Sequence, residues 1–310
     1  VESFAARAPA KLNLWLAVHG RRDDGYHELS TVLATLDLAD ELRLAPRAEP
    51  GIELRLTGPA AAADVPADAS NLAGRAASAV LEVARGSGGG GEPWGLRLEL
   101  DKRVPSQAGL GGGSSDAATA LRLAERACGI DLGAERRRAI LAGLGADCVF
   151  FHEAGPSGLA LAEGFGERVR PIPGQPPGWT VALVVPELRA PTGAVFEALG
   201  LAGARTRREP PDLQRLARAS AEEARALLHN DLEAAALAAL PGLAAWRGLL
   251  DDCGADHFRL SGSGSSFYGL FDEEGGAAEA LASVVLAARN KEFGTRLAGL
   301  QRMASGTSAG

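Results

Sequence analysis

Between Lys11 and His19 the side chains alternate with period two, Leu12, Leu14, Leu16 and Val18 against Lys11, Asn13, Trp15 and Ala17. That spacing predicts a β-strand, because successive side chains of an extended chain point to opposite faces. The Asp24-Gly25 pair marks a turn after it. Strand-like runs follow at 29–37, 40–46, 51–57 and 96–101, the last with Leu96, Leu98 and Leu100 against Arg97 and Glu99. Between them, Asn71 to Val83 is Ala-rich at helical spacing. The nearly all-glycine stretch from Gly86 to Gly91 reads as a mobile surface loop.

A second glycine-rich stretch, Gly109 to Gly113, leads through Ser114, Ser115 and Asp116 into an Ala/Leu helix ending near Gly129. Another helix, about 134–143, closes at Gly145. After Gly155 the texture changes. A strand at 180–186 is followed by a Pro-punctuated loop and by helices at about 211–229 and 231–250. A strand at 258–271, interrupted by the SGSGSS run, precedes a last amphipathic helix at about 276–290 and a frayed tail beyond Met303. Strands and helices do not alternate regularly, which predicts an α+β fold with mixed sheets over a doubly wound parallel one.

A chain of 310 residues suffices for one large domain or two modest ones. With 46% hydrophobic and 23% charged residues it has the balance of a soluble globular protein. A net charge of −7 disfavours nucleic acid and anionic membranes as partners, so an anionic small molecule must be captured by a local cluster of donors. Three cysteines without CxxC spacing argue against a disulfide framework or a zinc site and point to a reducing cytoplasm. No apolar run approaches the roughly 20 residues of a membrane span. The stretch Leu12 to Val18 contains Asn13 and runs into Arg21, as a strand does and a signal-peptide core does not.

The strongest chemical signal is PSQAGLGGGSSDAA, which holds Pro105, Ser106, Gln107, Ala108, Gly109, Leu110, Gly111, Gly112, Gly113, Ser114 and Ser115. Glycines let a backbone approach a ligand closely, and a helix that starts at once aims its free N–H groups and positive dipole end at the loop. Together they make an anion site whose usual occupant is phosphate; the bland alternative is a flexible turn with a serine N-cap. A P-loop needs Lys after the last glycine, where Ser114 stands. The dinucleotide fingerprint fails at the same residue, and its strand does not lead directly into the turn.

Four further segments invite a role. Lys11 and Asn13 share one strand face, and Lys11 is one of only three lysines in an arginine-rich chain. It is either a solvated edge residue or a place where a compact ammonium is needed. Asp147 adjoins the apolar run Cys148 to Phe151, as a helix cap or as a carboxylate in a partly dry site. Gly25-Tyr26-His27 sets an aromatic and an imidazole on a turn. SGSGSS, Ser261 to Ser266, signals a bulge or a close approach by another segment.

In this order the segments resemble the motif set of the GHMP kinases, and PAKLNLWLAVHGRRDDGYHEL resembles the opening of their diphosphocytidyl-methylerythritol kinase branch. GLGGGSS resembles the ATP loop and LSGSGSSFYGLF the third motif, so the likeness runs from Ala8 to Phe271. The resemblance implies a two-domain fold, an ATP-binding domain like ribosomal protein S5 over 1–157 and a ferredoxin-like substrate-side domain over 158–310. It implies Lys11 and Asp147 as the catalytic pair, Pro105 to Ser115 as the ATP loop, and ATP with Mg²⁺. Asn13, Tyr26, His27 and, in PTGAVF, Thr192 and Phe196 would hold the cytidine-linked acceptor. The implied enzyme is a cytoplasmic monomer or weak homodimer that phosphorylates the 2-hydroxyl of the methylerythritol unit. A kinase for mevalonate, homoserine or a sugar is the nearest rival, and a catalytically dead sensor on the same fold is a second. The GYH turn argues against the first, since those acceptors carry no base, and the retained Lys11, Asp147 and glycine loop against the second. One departure stands out: the family usually has proline soon after the catalytic Asp, and here Cys148-Val149-Phe150 follows.

Overall fold

The computed structural model describes residues 2–62, 64–86, 95–154, 158–200 and 207–304. The first half runs β1 (Phe4–Arg21), β2 (His27–Arg47), β3 (Gly51–Thr57), α1 (Leu72–Gly86), β4 (Gly95–Asp101), α2 (Gly112–Cys128), α3 (Ala134–Leu144) and α4 (Ala146–Glu153). Then come β5 (Leu159–Gly164), β6 (Arg168–Pro171), β7 (Thr180–Pro186), α5 (Thr192–Leu199), α6 (Leu213–Arg218), α7 (Ala221–Arg225) and β8 (His229–Asn230). The chain finishes with α8 (Leu232–Ala239), α9 (Pro241–Asp252), β9 (Arg259–Leu260), β10 (Phe267–Phe271), α10 (Glu274–Asn290) and β11 (Thr295–Arg302).

One sheet has the order β3-β4-β2-β1-β8, with the β5–β6 hairpin added along β2. A second has the order β11-β7-β10-β9. The fold is thus α+β with mixed sheets, as the irregular alternation predicts. Helices α1, α2 and α4 bury Ala76, Leu121 and Phe150 against Leu42, Leu98 and Leu100 of the first sheet. In β7 alternate residues serve two cores: Val181, Leu183 and Val185 meet Leu12 and Leu14 of β1, while Ala182 and Val184 meet Leu243, Trp246 and Val284. β1 is therefore covered on both faces.

The alternation along β1 does not run unbroken. A register shift between Asn13 and Trp15 inserts a bulge, and past it the faces exchange. Leu12, Leu14, Trp15 and Ala17 share one core, whereas Leu16 and Val18 belong to another. The runs at 29–37 and 40–46 fuse into β2, which is long enough to pair β5 at one end and β4 at the other. The helix expected over 211–229 breaks at Ser220, whose side chain and Glu223 form a capping box. The helix expected over 231–250 breaks before Pro241, which opens α9. The 258–271 strand is two short strands around the SGSGSS turn. α4, β5, β6 and β11 are additions, and the Pro-punctuated loop contains α5. Dividing the chain after residue 157 separates β5 and β6 from the sheet they complete. Residues 87–91 of the glycine stretch and the tail beyond Ala304 lie outside the described residues.

Candidate active site

A cavity of about 1500 Å³ lies between the halves. Its floor is the β1 face with Lys11 and Asn13, one wall is the loop Pro105–Gly109 with the start of α2, and Asp147 of α4 stands at their junction. Tyr26 and His27 on the β1–β2 turn face Thr192 and Phe196 of α5 at the other end. Of the residues singled out in the sequence, Leu110 and Ser115 do not line the cavity. Both are fully buried, Leu110 in the core beneath β1.

Lys11 is a buried residue, not a solvated edge lysine. Its Nζ donates to Asn13 Oδ1 at 2.6 Å and lies 3.6 Å from Asp147 Oδ2. An ammonium only donates, so it turns the Asn13 amide oxygen toward itself. Asn13 Nδ2 then donates to Thr31 Oγ1 at 2.9 Å, and the Thr31 hydroxyl donates to Trp15 O at 2.8 Å. Thr31 gave no signal in the sequence beyond its place in a strand. The Lys11 N–H donates to Leu110 O at 2.9 Å, tying β1 to the glycine loop.

Asp147 is the second residue of α4, whose N-cap, Gly145, offers no side chain to the helix end. Its carboxylate sits at the positive end of the helix, facing Lys11. Cys148 N–H donates to Gly145 O at 3.1 Å, closing the first turn of α4. The Cys148 thiol is bonded to the Ser114 side chain, and burial pushes its pKa up to about 12, so it stays neutral. The start of α4 is thereby tied to the first turn of α2.

The glycines of the loop are required by packing. Gly109 is left-handed (φ 75°), and a Cβ there would fall 2.2 Å from Ser261 O. Gly111, also left-handed, would place a Cβ 3.0 Å from both Lys11 Cγ and the Phe151 ring. As N-cap of α2 it offers no side chain, so the amides of Gly112, Gly113 and Ser114 line the cavity wall at a helix N-terminus, the geometry that favours an anion. A Cβ at Gly112 would fall 3.0 Å from Val104 Cγ1 and 3.3 Å from Lys102 Nζ.

The SGSGSS turn is where the halves meet. Ser261 Oγ donates to Gly109 O at 3.0 Å and accepts from Asn13 N at 3.3 Å. Ser266 Oγ donates to Ala108 O at 2.6 Å, and Tyr268 donates its hydroxyl to Asn13 O at 2.9 Å. Gly262 leaves room for Asn13, whose Oδ1 would be 2.9 Å from a Cβ there. Thr192 Oγ1 and Ser263 Oγ are 3.1 Å apart.

At the far end, His27 stacks on Phe196 with ring centroids 4.5 Å apart and 25° between planes. Burial, followed by the Arg21 charge, lowers the His27 pKa, so the ring is neutral near pH 7. Tyr26, 60% exposed, tilts against Phe165 at 5.0 Å, a partner the sequence did not suggest.

The sequence reading also missed Asp40, Lys102 and Asp116. Lys102 Nζ donates to Asp116 Oδ2 at 2.7 Å and to Asp40 Oδ2, all three being buried. Burial works against the Lys102 charge, but the two carboxylates outweigh it and raise its pKa. For Asp116 burial, with the Asp40 charge, raises the pKa against the pull of Lys102. Among the described residues, Asp116 Oδ1 and Ser115 Oγ are buried without a partner. The scarcity of lysine was the available signal for Lys102.

Residues 71–155 match the family described as GHMP kinases N terminal domain, and 206–289 match GHMP kinases C terminal. A 4-diphosphocytidyl-2-C-methyl-D-erythritol kinase of a Geobacter sp. is 39% identical over 277 residues, 89% of this chain and 92% of its own. The protein of that description in Geobacter sulfurreducens is 36% identical over 280 residues, 90% and 94% of the two chains. A crystal structure of 4-(cytidine 5'-diphospho)-2C-methyl-D-erythritol kinase superposes with a TM-score of 0.71 at 34% identity, covering 96% of this chain and 99% of its own. A homoserine kinase from Cytophaga hutchinsonii, 15% identical with a TM-score of 0.67 over 99% and 96% of the two chains, shares the fold.

Proposed function

The chain belongs to the GHMP kinases, in the 4-diphosphocytidyl-2-C-methyl-D-erythritol kinase branch, and on that premise we propose roles for its residues in moving the γ-phosphate of ATP to the 2-hydroxyl of 4-diphosphocytidyl-2-C-methyl-D-erythritol. It is a small-molecule phosphotransferase with an alcohol acceptor. The observation that carries the roles is the Lys11–Asp147 pair, 3.6 Å apart where β1 meets the first turn of α2.

Phosphoryl transfer asks for alignment and charge neutralisation more than covalent help. The first-turn amides of α2 hold the phosphates. Asp147 orients the acceptor hydroxyl and takes its proton. Lys11 keeps Asp147 ionised and offsets charge on the transferring phosphoryl group. Asn13, positioned by Lys11 and Thr31, holds the sugar chain with Thr192, while Tyr26, His27 and Phe196 hold the cytidine end. Asp116 lines the cavity beside the loop with its Oδ1 unpartnered among the described residues, an oxygen that would suit a Mg²⁺ ion brought in on the triphosphate. Such an ion would supply further neutralisation of phosphate charge. The three cysteines are free thiols, in keeping with an enzyme of the reducing cytoplasm.

ADP release in a coupled assay tests this directly. Turnover with the cytidine-linked acceptor and none with mevalonate or homoserine is the expected result. The reverse preference would overturn the acceptor assignment.

A further inference from the structure

Arg296 lies on β11, outside every motif so far described. The β11–β7 ladder pairs Thr295 with Pro186 and Leu297 with Val185, so Arg296 is the extra residue of a bulge. A bulge re-aims a side chain, and this one delivers the guanidinium to the back of the active-site loops. Nη1 donates to Ser106 O of the ATP loop at 2.6 Å. Nε donates to Pro186 O at 3.2 Å and Nη2 to Leu188 O at 2.9 Å, on the connection that leads to Thr192 and Phe196. Nη2 also reaches Ser265 Oγ of the SGSGSS turn at 3.2 Å, and that hydroxyl donates to Leu188 O at 2.8 Å. Three separate segments that border the cavity are thus held by one planar fork.

Among the described residues no carboxylate forms a salt bridge with Arg296; its bonds go to main-chain carbonyls and one hydroxyl. Burial lowers its pKa, and Asp64, which accepts from Ser106 Oγ at 2.6 Å, opposes that shift. A cation spent on carbonyl oxygens fixes loop geometry, since a planar fork with several fixed N–H directions specifies where each oxygen must lie.

We propose that Arg296 is a positioning residue for the nucleotide, holding Ser106 of the ATP loop in register with the acceptor wall. The inference rests on the kinase reading above. Arg296 touches no reacting atom, so its loss shows in binding of ATP more than in the chemical step. A lysine cannot span the carbonyls of Ser106, Pro186 and Leu188 together, so charge alone does not substitute.

The test measures KM for ATP, kcat and the affinity for a non-hydrolysable ATP analogue in wild type, Arg296→Ala and Arg296→Lys, with melting curves alongside. Both variants are expected to raise KM and the analogue dissociation constant by about tenfold or more, the scale of a lost charge-assisted bond, with a much smaller fall in kcat. Equal loss of kcat with KM preserved overturns the proposal. So does wild-type affinity in Arg296→Lys, or failure of both variants to fold, which would assign Arg296 to the scaffold. A wild-type chain that binds no analogue would instead sink the kinase reading itself.

Discussion

The His27 imidazole and the Phe196 ring lie face to face at 4.5 Å, so the β1–β2 turn of one half is already in contact with α5 of the other. A base entering there meets two aromatic pairs, His27 on Phe196 and Tyr26 on Phe165. Base stacking on an aromatic is worth about 1–3 kcal/mol, or roughly ten- to a hundredfold in affinity. Tyr26→Ala and Phe196→Ala are each expected to raise KM for the cytidine acceptor on that scale and to leave KM for ATP in place. CMP should compete with the acceptor and not with ATP. Unchanged acceptor KM in both variants would show that these rings only close the fold.

Asp147 and Lys11 make a second, separable prediction. Asp147→Asn should lower kcat by roughly 10² or more, the scale of general base catalysis, with ATP-analogue affinity retained. Lys11→Arg should also fall well below wild type. The buried ammonium is boxed in by Asn13 Oδ1 at 2.6 Å and by Gly111 packed on its stem, and a guanidinium does not fit that space. Steady-state rates at saturating substrates decide both, and wild-type turnover in either variant removes that residue from the mechanism.

Gly109 should be less replaceable than Gly113. Alanine at 109 meets Ser261 O at 2.2 Å in a left-handed conformation, while a Cβ at 113 meets only Leu72 Cδ1 at 3.7 Å. Gly109→Ala is expected to lower the melting temperature and weaken ATP-analogue binding together. Calorimetry that finds both intact would mean the loop tolerates a shift. Gly112→Val, by contrast, strikes Val104 and Lys102 and tests the core more than the ligand.

Acid should destabilise the protein through its buried histidines. His19, His27, His152 and His257 all have lowered pKa values, with burial the first cause in each. The unfolded chain titrates near the ordinary value of about 6.5, so it binds more protons than the folded chain just below that pH. Their contribution to stability is therefore full above about 6.5 and is lost as pH falls through the folded values. Melting temperature should drop between about pH 7.5 and 5.5. His152, whose buried Nδ1 has no partner among the described residues and which feels Arg122 and Arg137, should account for part of it. Expected for His152→Phe is a shallower slope; an unaltered slope would clear His152.

How far the sequence carried this reading depended on the range of each interaction. Lys11, Asn13, Asp147 and the glycine loop stood out as candidates because strand period, helix start and turn chemistry are local, but only the resemblance to the GHMP kinases gave them roles. Phe165, Thr31 and Arg296 were not, for each gains its place from a partner far along the chain. The bulge at Asn13–Trp15 is similar: nothing within β1 forecasts an extra residue that only pairing with β2 creates. Helix α4 was missed because Cys148, Val149, Phe150 and Phe151 are all buried, and a helix apolar on every side shows no period. The breaks at Ser220 and Pro241 were written in capping and proline signals and could have been read.

The sheet pairing has a consequence for how such a chain can be divided. Strands β5, β6 and β8 arrive from sequence that follows the glycine loop, yet they complete the sheet beside which that loop lies. Cutting after residue 157 would strip β2 and β1 of neighbours and leave their backbone edges bare. The first half of the chain is consequently no excisable cassette. It cannot be shuffled onto another acceptor domain by a single crossover, so a change of acceptor has to come from substitution within walls that both halves already share.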